Sequence, residues 1–190
     1  MDSMPARNEG VIATLRAPAT AAAPTSWERF EALYRSSRDD VFAYVATLLR
    51  DRAAAEDVTE LAFERAYRRR RTFDRRRGEE RAWLFGIARN AALDELRRRR
   101  RLTALTVEPE NKASQATAGA EEEEVALRRT AVRSALAKLP AREREIVALK
   151  FHAGLSNAEL ARVLGVSESN AGTLLYRTME KLRKACDETA

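Results

Sequence analysis

The segment Ser156-Asn157-Ala158-Glu159-Leu160-Ala161-Arg162-Val163-Leu164 constrains this chain more than any other. Ser156 can cap a helix, and Leu160, Ala161, Val163 and Leu164 follow it at helical spacing. Gly165 stands where that helix must end, in a left-handed conformation that a Cβ would penalise. After Val166, Ser167 can cap a second helix through Arg177 and beyond. Ala161 is small where the two helices must approach. Two helices on a glycine pivot make a helix-turn-helix, whose second helix reads base edges in the major groove. An ordinary helical hairpin is the alternative. Caps, pivot and apolar spacing agree on the DNA-reading unit.

The rest of the chain has to accommodate that unit. Its 190 residues allow one large or two small domains, and 45% hydrophobic residues suffice for real cores. With 34% charged residues but only 7 Gly and 5 Pro, the composition predicts an all-α protein. Between positions 65 and 101 stand fifteen Arg, five acids and no Lys, a local charge of +10 within a chain of net charge +6. A solvated helical face usually mixes signs and uses Lys, so this concentrated polycation points to phosphate and to salt-sensitive binding.

Several function classes drop out. One cysteine, Cys186, gives neither a disulfide framework nor a zinc site. The one histidine, His152, has no Cys or carboxylate cluster around it and ends a predicted helix, where a cation is favourable. No metal-ligand cluster, nucleophile paired with a base or phosphate-binding Gly loop is visible, so neither catalytic residues nor a cofactor are expected. No apolar run reaches membrane-spanning length. Residues 1–25, rich in Ala, Pro and Thr, read as a disordered leader on a cytoplasmic protein rather than a targeting segment.

Periodicity predicts a first helix over 26–37, carrying Trp27, Phe30, Leu33 and Tyr34, and a second capped by Asp39 and running to Leu49. A third spans 53–71, a loop 72–78, and a fourth helix 79–101. Residues 102–120 lack periodicity and form a flexible linker. Acids at 121–124 open a helix to about Leu139, and Pro140 starts the helix over 141–151 that leads to the helix-turn-helix. The expected architecture is two small helical domains, 26–101 and 121–190, which the linker leaves unaligned in the free protein.

Phe73, Asp74, Arg81, Trp83, Arg89 and Asn90 combine cations, stacking surface and an amide, groups able to hold unstacked bases. Core packing is at least as good an account of Trp83. Phe73 stands in a predicted loop between Arg runs, with no obvious core to join.

The block from Ala54 to Tyr67, with Asp57-Val58-Thr59-Glu60-Leu61 at its centre, resembles the polymerase-binding region 2 of bacterial sigma factors. So does Arg81-Ala82-Trp83-Leu84-Phe85-Gly86-Ile87-Ala88-Arg89-Asn90 with its continuation to Arg98. Leu139-Pro140-Ala141-Arg142-Glu143-Arg144-Glu145 and the helix-turn-helix resemble region 4. Two such regions joined only by a linker resemble the extracytoplasmic-function (group IV) sigma factors of the sigma-70 family.

That resemblance implies a protein without chemistry of its own, which lends promoter recognition and strand opening to RNA polymerase. It implies core-polymerase contacts at Asp57, Thr59, Glu60 and Phe63 on the β′ clamp, with the β flap as a further contact for region 4. It implies −10 contacts at Arg71, Phe73, Asp74, Arg75, Arg81, Trp83, Arg89, Asn90 and Arg97. It implies −35 contacts at Ser167, Ser169, Asn170, Gly172, Thr173, Tyr176 and Arg177. An anti-sigma factor is a further partner of the kind it leaves open; a membrane is not. Three positions depart from the family pattern: Leu61 replaces a carboxylate, and Gly172 and Leu174 stand where basic residues are usual. The rival reading is a free-standing helix-turn-helix regulator, which would be a dimer on a palindrome and leaves the Asp57 block unexplained.

Overall fold

The protein is described by a computed structural model over residues 25–74, 76, 78–105 and 123–187. The expected leader up to residue 24, most of the linker and position 75 lie outside the described residues. Every regular element among the described residues is helical.

Helix α1 spans Ser26–Leu49. It opens with a capping box: Thr25 Oγ1 accepts from the Glu28 N–H at 3.2 Å, and Glu28 accepts from the Thr25 N–H at 2.7 Å. The break expected near Asp39 does not occur. Phe30, Leu33, Ser37, Val41, Tyr44, Val45 and Leu49 carry one buried stripe straight through it, and Asp39 lies exposed beside Arg38 instead of capping. The helix ends at Arg50 (φ 54°), whose N–H returns to the Ala46 carbonyl at 2.9 Å.

Asp51 then caps α2, Arg52–Arg69, by accepting from the Ala54 N–H at 3.1 Å. That bond holds the Asp51 carboxyl below its ordinary range. Ala55, Val58, Thr59, Ala62, Phe63 and Ala66 face inward. A short 3-10 turn, Arg70–Thr72, leads to Phe73 and on to α3, Glu80–Leu105. The first unit therefore has three long helices rather than four, and α3 continues past the expected end at Arg101.

The second unit comprises α4 (Glu123–Lys138), α5 (Ala141–Phe151), α6 (Asn157–Leu164) and α7 (Glu168–Asp187). A second capping box joins Ser156 to Glu159 at the start of α6, and Gly165 closes that helix at φ 69° and ψ 38°. Ser167 Oγ accepts from the Asn170 N–H at 3.2 Å at the start of α7. The predicted helix-turn-helix forms on its predicted pivot.

The two units do not stand apart as the linker composition suggested. Ile146, Leu149, Leu155, Leu160 and Ala171 belong to the same buried cluster as Val41, Tyr44, Leu84 and Phe85. Across this junction Arg89 Nε donates to Glu145 Oε1 at 2.7 Å, and Tyr44 Oη donates to the same oxygen at 3.4 Å. The junction is apolar in the middle, and apolar surface of this kind drives association without regard to linker stiffness.

Glu95 on α3 receives both Arg98 and Arg99, and Arg99 also reaches Asp51 at 3.0 Å, tying α3 to the start of α2. Those hydrogen bonds, Arg98's first, bring the Glu95 carboxyl down from 4.5 to about 2. A depressed carboxyl stabilises the fold fully above its unfolded pKa and loses that contribution as pH falls through the folded one. Glu95→Gln is therefore expected to lower the melting temperature at pH 7 and to flatten the decline of stability between pH 4.5 and about 2. Thermal unfolding of both proteins across that range is the check; parallel curves would exclude the linkage.

Candidate nucleic-acid interface

Helix α7 has two faces of opposite character. Ala171 and Thr178 are buried, Leu174 and Leu175 pack against the core, and the Thr178 hydroxyl donates back to the Leu174 carbonyl at 2.7 Å. The other face presents Ser167, Ser169, Asn170, Thr173, Tyr176 and Arg177, all exposed, with Tyr176 at 69%. The separations from Asn170 through Thr173 and Tyr176 to Arg177 are three and four residues, so these side chains form one stripe. Such a stripe of amide, hydroxyl, phenol and guanidinium suits base edges and phosphates.

The two departures on this helix have different physical meanings. Leu174 faces the core, so no basic contact is missing there. Gly172 is half-covered beside the start of α6, where an added Cβ would meet Asn157 Nδ2 at 3.6 Å, an ordinary contact.

A second surface lies between the 3-10 turn and α3. Phe73 is half-buried with its ring 5.2 Å from that of Trp83, so it does have a packing partner, contrary to the expectation of an unsupported loop aromatic. These rings, Arg69, Asn90 and Gly78 line a cavity of about 420 Å³, which Arg162 and Val163 of α6 also border. Arg71, Asp74 and Asn90 are exposed, and so is Arg97, which pairs with Asp94 at 3.1 Å. Trp83 is half-buried: it packs on Phe73 and lines the cavity.

Arg81 and Arg89 point away from that open surface. Arg81 donates to the Ala153 and His152 carbonyls at 2.7 and 2.9 Å, to Asp40 at 2.6 Å, to Ser37 at 3.0 Å and to the Ser36 carbonyl at 3.3 Å. The cation at the C-terminus of α5 is thus Arg81, not His152 as expected. Burial lowers the His152 imidazole below 6.5, with Asp40 opposing, which keeps it neutral at pH 7. Arg89 grips Glu145 with both arms, at 2.7 and 3.4 Å. Burial, reinforced by the Glu145 charge, raises the Tyr44 hydroxyl well above its usual pKa, so it stays a donor. Glu145 and Tyr44 escaped the sequence reading, since neither carries a motif for an interdomain bond.

The third surface lies on α2. Asp57 and Glu60 are exposed, whereas Thr59 and Phe63 are buried at 5% each. The Thr59 hydroxyl is spent on the Ala55 carbonyl at 2.6 Å, and Phe63 packs edge-on against Tyr34 with centroids 4.7 Å apart. Thr59 and Phe63 shape a recess of about 130 Å³ that Glu56 and Glu60 also line. Helical periodicity puts positions 59 and 63 on the core side of 57 and 60. Leu61, the departure on this helix, packs against the core.

Residues 33–102 match the family Sigma-70 region 2, and residues 129–182 match Sigma-70, region 4. The chain is similar to the ECF RNA polymerase sigma factor BldN of Streptomyces coelicolor, 33% identical over 164 residues. That alignment covers 86% of this chain but 62% of BldN, so the chain spans less than two thirds of that relative. It is similar also to SigL of Mycobacterium tuberculosis, 30% identical over 157 residues, covering 83% of this chain and 88% of SigL. Among solved structures, the sigma factor RpoE in complex with the anti-sigma factor NepR from Bartonella quintana superposes with a TM-score of 0.69. It is 22% identical and covers 84% of this chain and 97% of that one. CnrH in complex with the cytosolic domain of CnrY gives 0.59 at 24% identity, covering 85% and 89%. At these identities the likeness is one of fold.

Because nothing steric demands glycine at 172, Gly172→Ala is expected to stabilise the protein by about 1 kcal/mol, the usual helix-interior difference. Denaturant unfolding measures it. A destabilised variant would show that the α6–α7 approach has no room for a methyl group.

Proposed function

This chain belongs to the extracytoplasmic-function group of the sigma-70 family, and on that premise we propose how its surfaces divide the work of promoter recognition. A sigma factor binds core RNA polymerase, directs it to promoters and assists initiation, with no catalysis of its own. The free-standing regulator is not favoured, since it leaves residues 33–102 without a role.

The observation that carries the assignment of −35 reading is the polar stripe of α7, exposed on a helix whose opposite face is locked into the core. Ser167, Ser169, Asn170, Thr173, Tyr176 and Arg177 read or position the −35 element, with Gly172 at its edge. Asn suits adenine and Arg suits guanine, each good bidentate contact being worth roughly 1–3 kcal/mol. The cavity between Phe73, Trp83 and Asn90 receives an unstacked −10 base, and Arg71, Asp74 and Arg97 make further −10 contacts, as the resemblance implies for Arg75 too. Asp57 and Glu60 dock on the β′ clamp, while Thr59 and Phe63 hold the floor of that surface in shape. Polymerase binding places the protein in the cytoplasm. RpoE and CnrH are each held by a partner, in RpoE's case an anti-sigma factor, and a protein of that kind is proposed to control this chain as well.

Co-purification of the tagged protein with polymerase subunits tests the premise, and Asp57→Ala is expected to lower that recovery while the helical circular-dichroism signal stays unchanged. Equal recovery of β′ would rule out the assigned docking face. Arg177→Ala should weaken −35-dependent transcription in vitro by about tenfold or more, from the loss of one bidentate contact. Phe73→Ala should reduce permanganate reactivity of the −10 region more than −35 docking, since base stacking on an aromatic is worth about 1–3 kcal/mol. An unchanged footprint would mean that Phe73 serves only to pack on Trp83.

A further inference from the structure

We propose that the packing of α5 and α6 onto α1 and α3 is a self-masking state, latched by Glu145, in which the second unit occupies the single-strand-reading surface of the first. The proposal rests on the reading that the Phe73–Trp83 cavity and the neighbouring α3 arginines take the −10 strand.

Three observations on separate residues converge. Arg89 is held bidentate by a carboxylate only 9% exposed, the fork geometry in which a guanidinium would otherwise take a phosphate. Glu145 therefore stands in for a nucleic-acid anion. Arg81 has five N–H donors and uses all five, two of them on the His152 and Ala153 carbonyls of the second unit. It has no donor left for a strand while the units are closed. The cavity is bordered by Arg162 and Val163 of α6, and the Arg162 guanidinium lies so close over Gly78 that a Cβ there would meet Nη1 at 2.0 Å. A base entering over Gly78 would have to displace the Arg162 guanidinium.

The masking is one-sided. The stripe of α7 remains exposed in the same state, Tyr176 most of all. A closed molecule thus keeps its duplex-reading helix available while its single-strand site is shut. Opening exchanges the Glu145 carboxylate for phosphate on Arg89 and frees two donors of Arg81.

The test uses the full chain with dyes on Cys186, its one cysteine, and on an exposed α2 position through Glu64→Cys. Glu145→Gln should lower the energy-transfer efficiency and tighten binding of a labelled random-sequence 12-mer single strand by about tenfold, the factor expected when a site is open about one time in ten. Glu143→Gln removes the same charge from the same helix, but its partner is Lys181 within the second unit, so it should change neither reading. Arg162→Ala lies on an exposed position, which leaves the fold intact, and should also tighten single-strand binding. Loss of a cation ordinarily weakens such binding, so a gain identifies unmasking. Equal transfer efficiency in all four proteins overturns the latch, as does a Glu143→Gln that matches Glu145→Gln. Failure of the −10 reading looks different: Glu145→Gln opens the molecule, yet adding Asn90→Ala leaves its single-strand affinity untouched. That result overturns the masking while the latch stands.

Discussion

A single buried carboxylate holds the two halves of this molecule in their relation to each other. Glu145 is a charge among Tyr44, Arg89 and apolar side chains, and a charge removed from water needs both a counter-charge and hydrogen bonds. Arg89 supplies the first and Tyr44 helps with the second. Leaving one partner of a buried pair uncompensated typically costs about 3–5 kcal/mol, whereas the intact pair adds little net stability over a well-packed apolar substitute. The pair therefore acts on specificity more than on stability: any other docking of α5 on α1 and α3 would bury Glu145 without its partners. The apolar cluster around Ile146, Leu149 and Leu160 supplies the attraction, and Glu145 selects one arrangement.

On the proposed masking, the same arginines serve fold and function in different states. A guanidinium fork binds carboxylates and phosphates with equal geometric ease, so a protein rich in arginine must either leave its forks solvated or give them internal acids. Both choices are visible. Arg98 and Arg99 on α3 share Glu95, and Arg65 and Arg97 share Asp94, mostly near the surface where water screens the pairs. Arg81 and Arg89 instead are drawn into the junction. The dense positive charge of α3 is thus partly neutralised inside the molecule before any nucleic acid arrives, and the pairs that must be exchanged are those at the junction.

Much of the local architecture was legible in the sequence because it depends on short-range chemistry. Ser156 and Glu159 lie three residues apart, the separation a capping box requires, and Gly165 takes the left-handed φ that its position predicted. The inward positions of Val58, Ala62 and Leu160 follow from periodicity alone. Where local signals misled, a longer-range one prevailed. Asp39 is a competent cap, but the buried stripe from Leu33 to Leu49 outweighs it and α1 runs on. Phe73 looked unsupported because Trp83, its partner, is ten residues away across a turn.

The sequence by itself determined that the chain is helical, the Ser156 and Ser167 caps, the helix-turn-helix and the family, since each is written in residues a few positions apart. Helical spacing also puts Asn170, Thr173 and Arg177 on one side of α7, whereas Leu174, which the resemblance set among the DNA-facing positions, is turned to the core by the tertiary structure. Only the tertiary structure decided what Arg81, Arg89, Tyr44 and Glu145 do. Their bonds join positions up to 101 residues apart, across a segment without periodicity, and no local pattern encodes such a pairing. A linker's composition states how freely two units can move, but the complementarity of the surfaces it joins decides whether they come together.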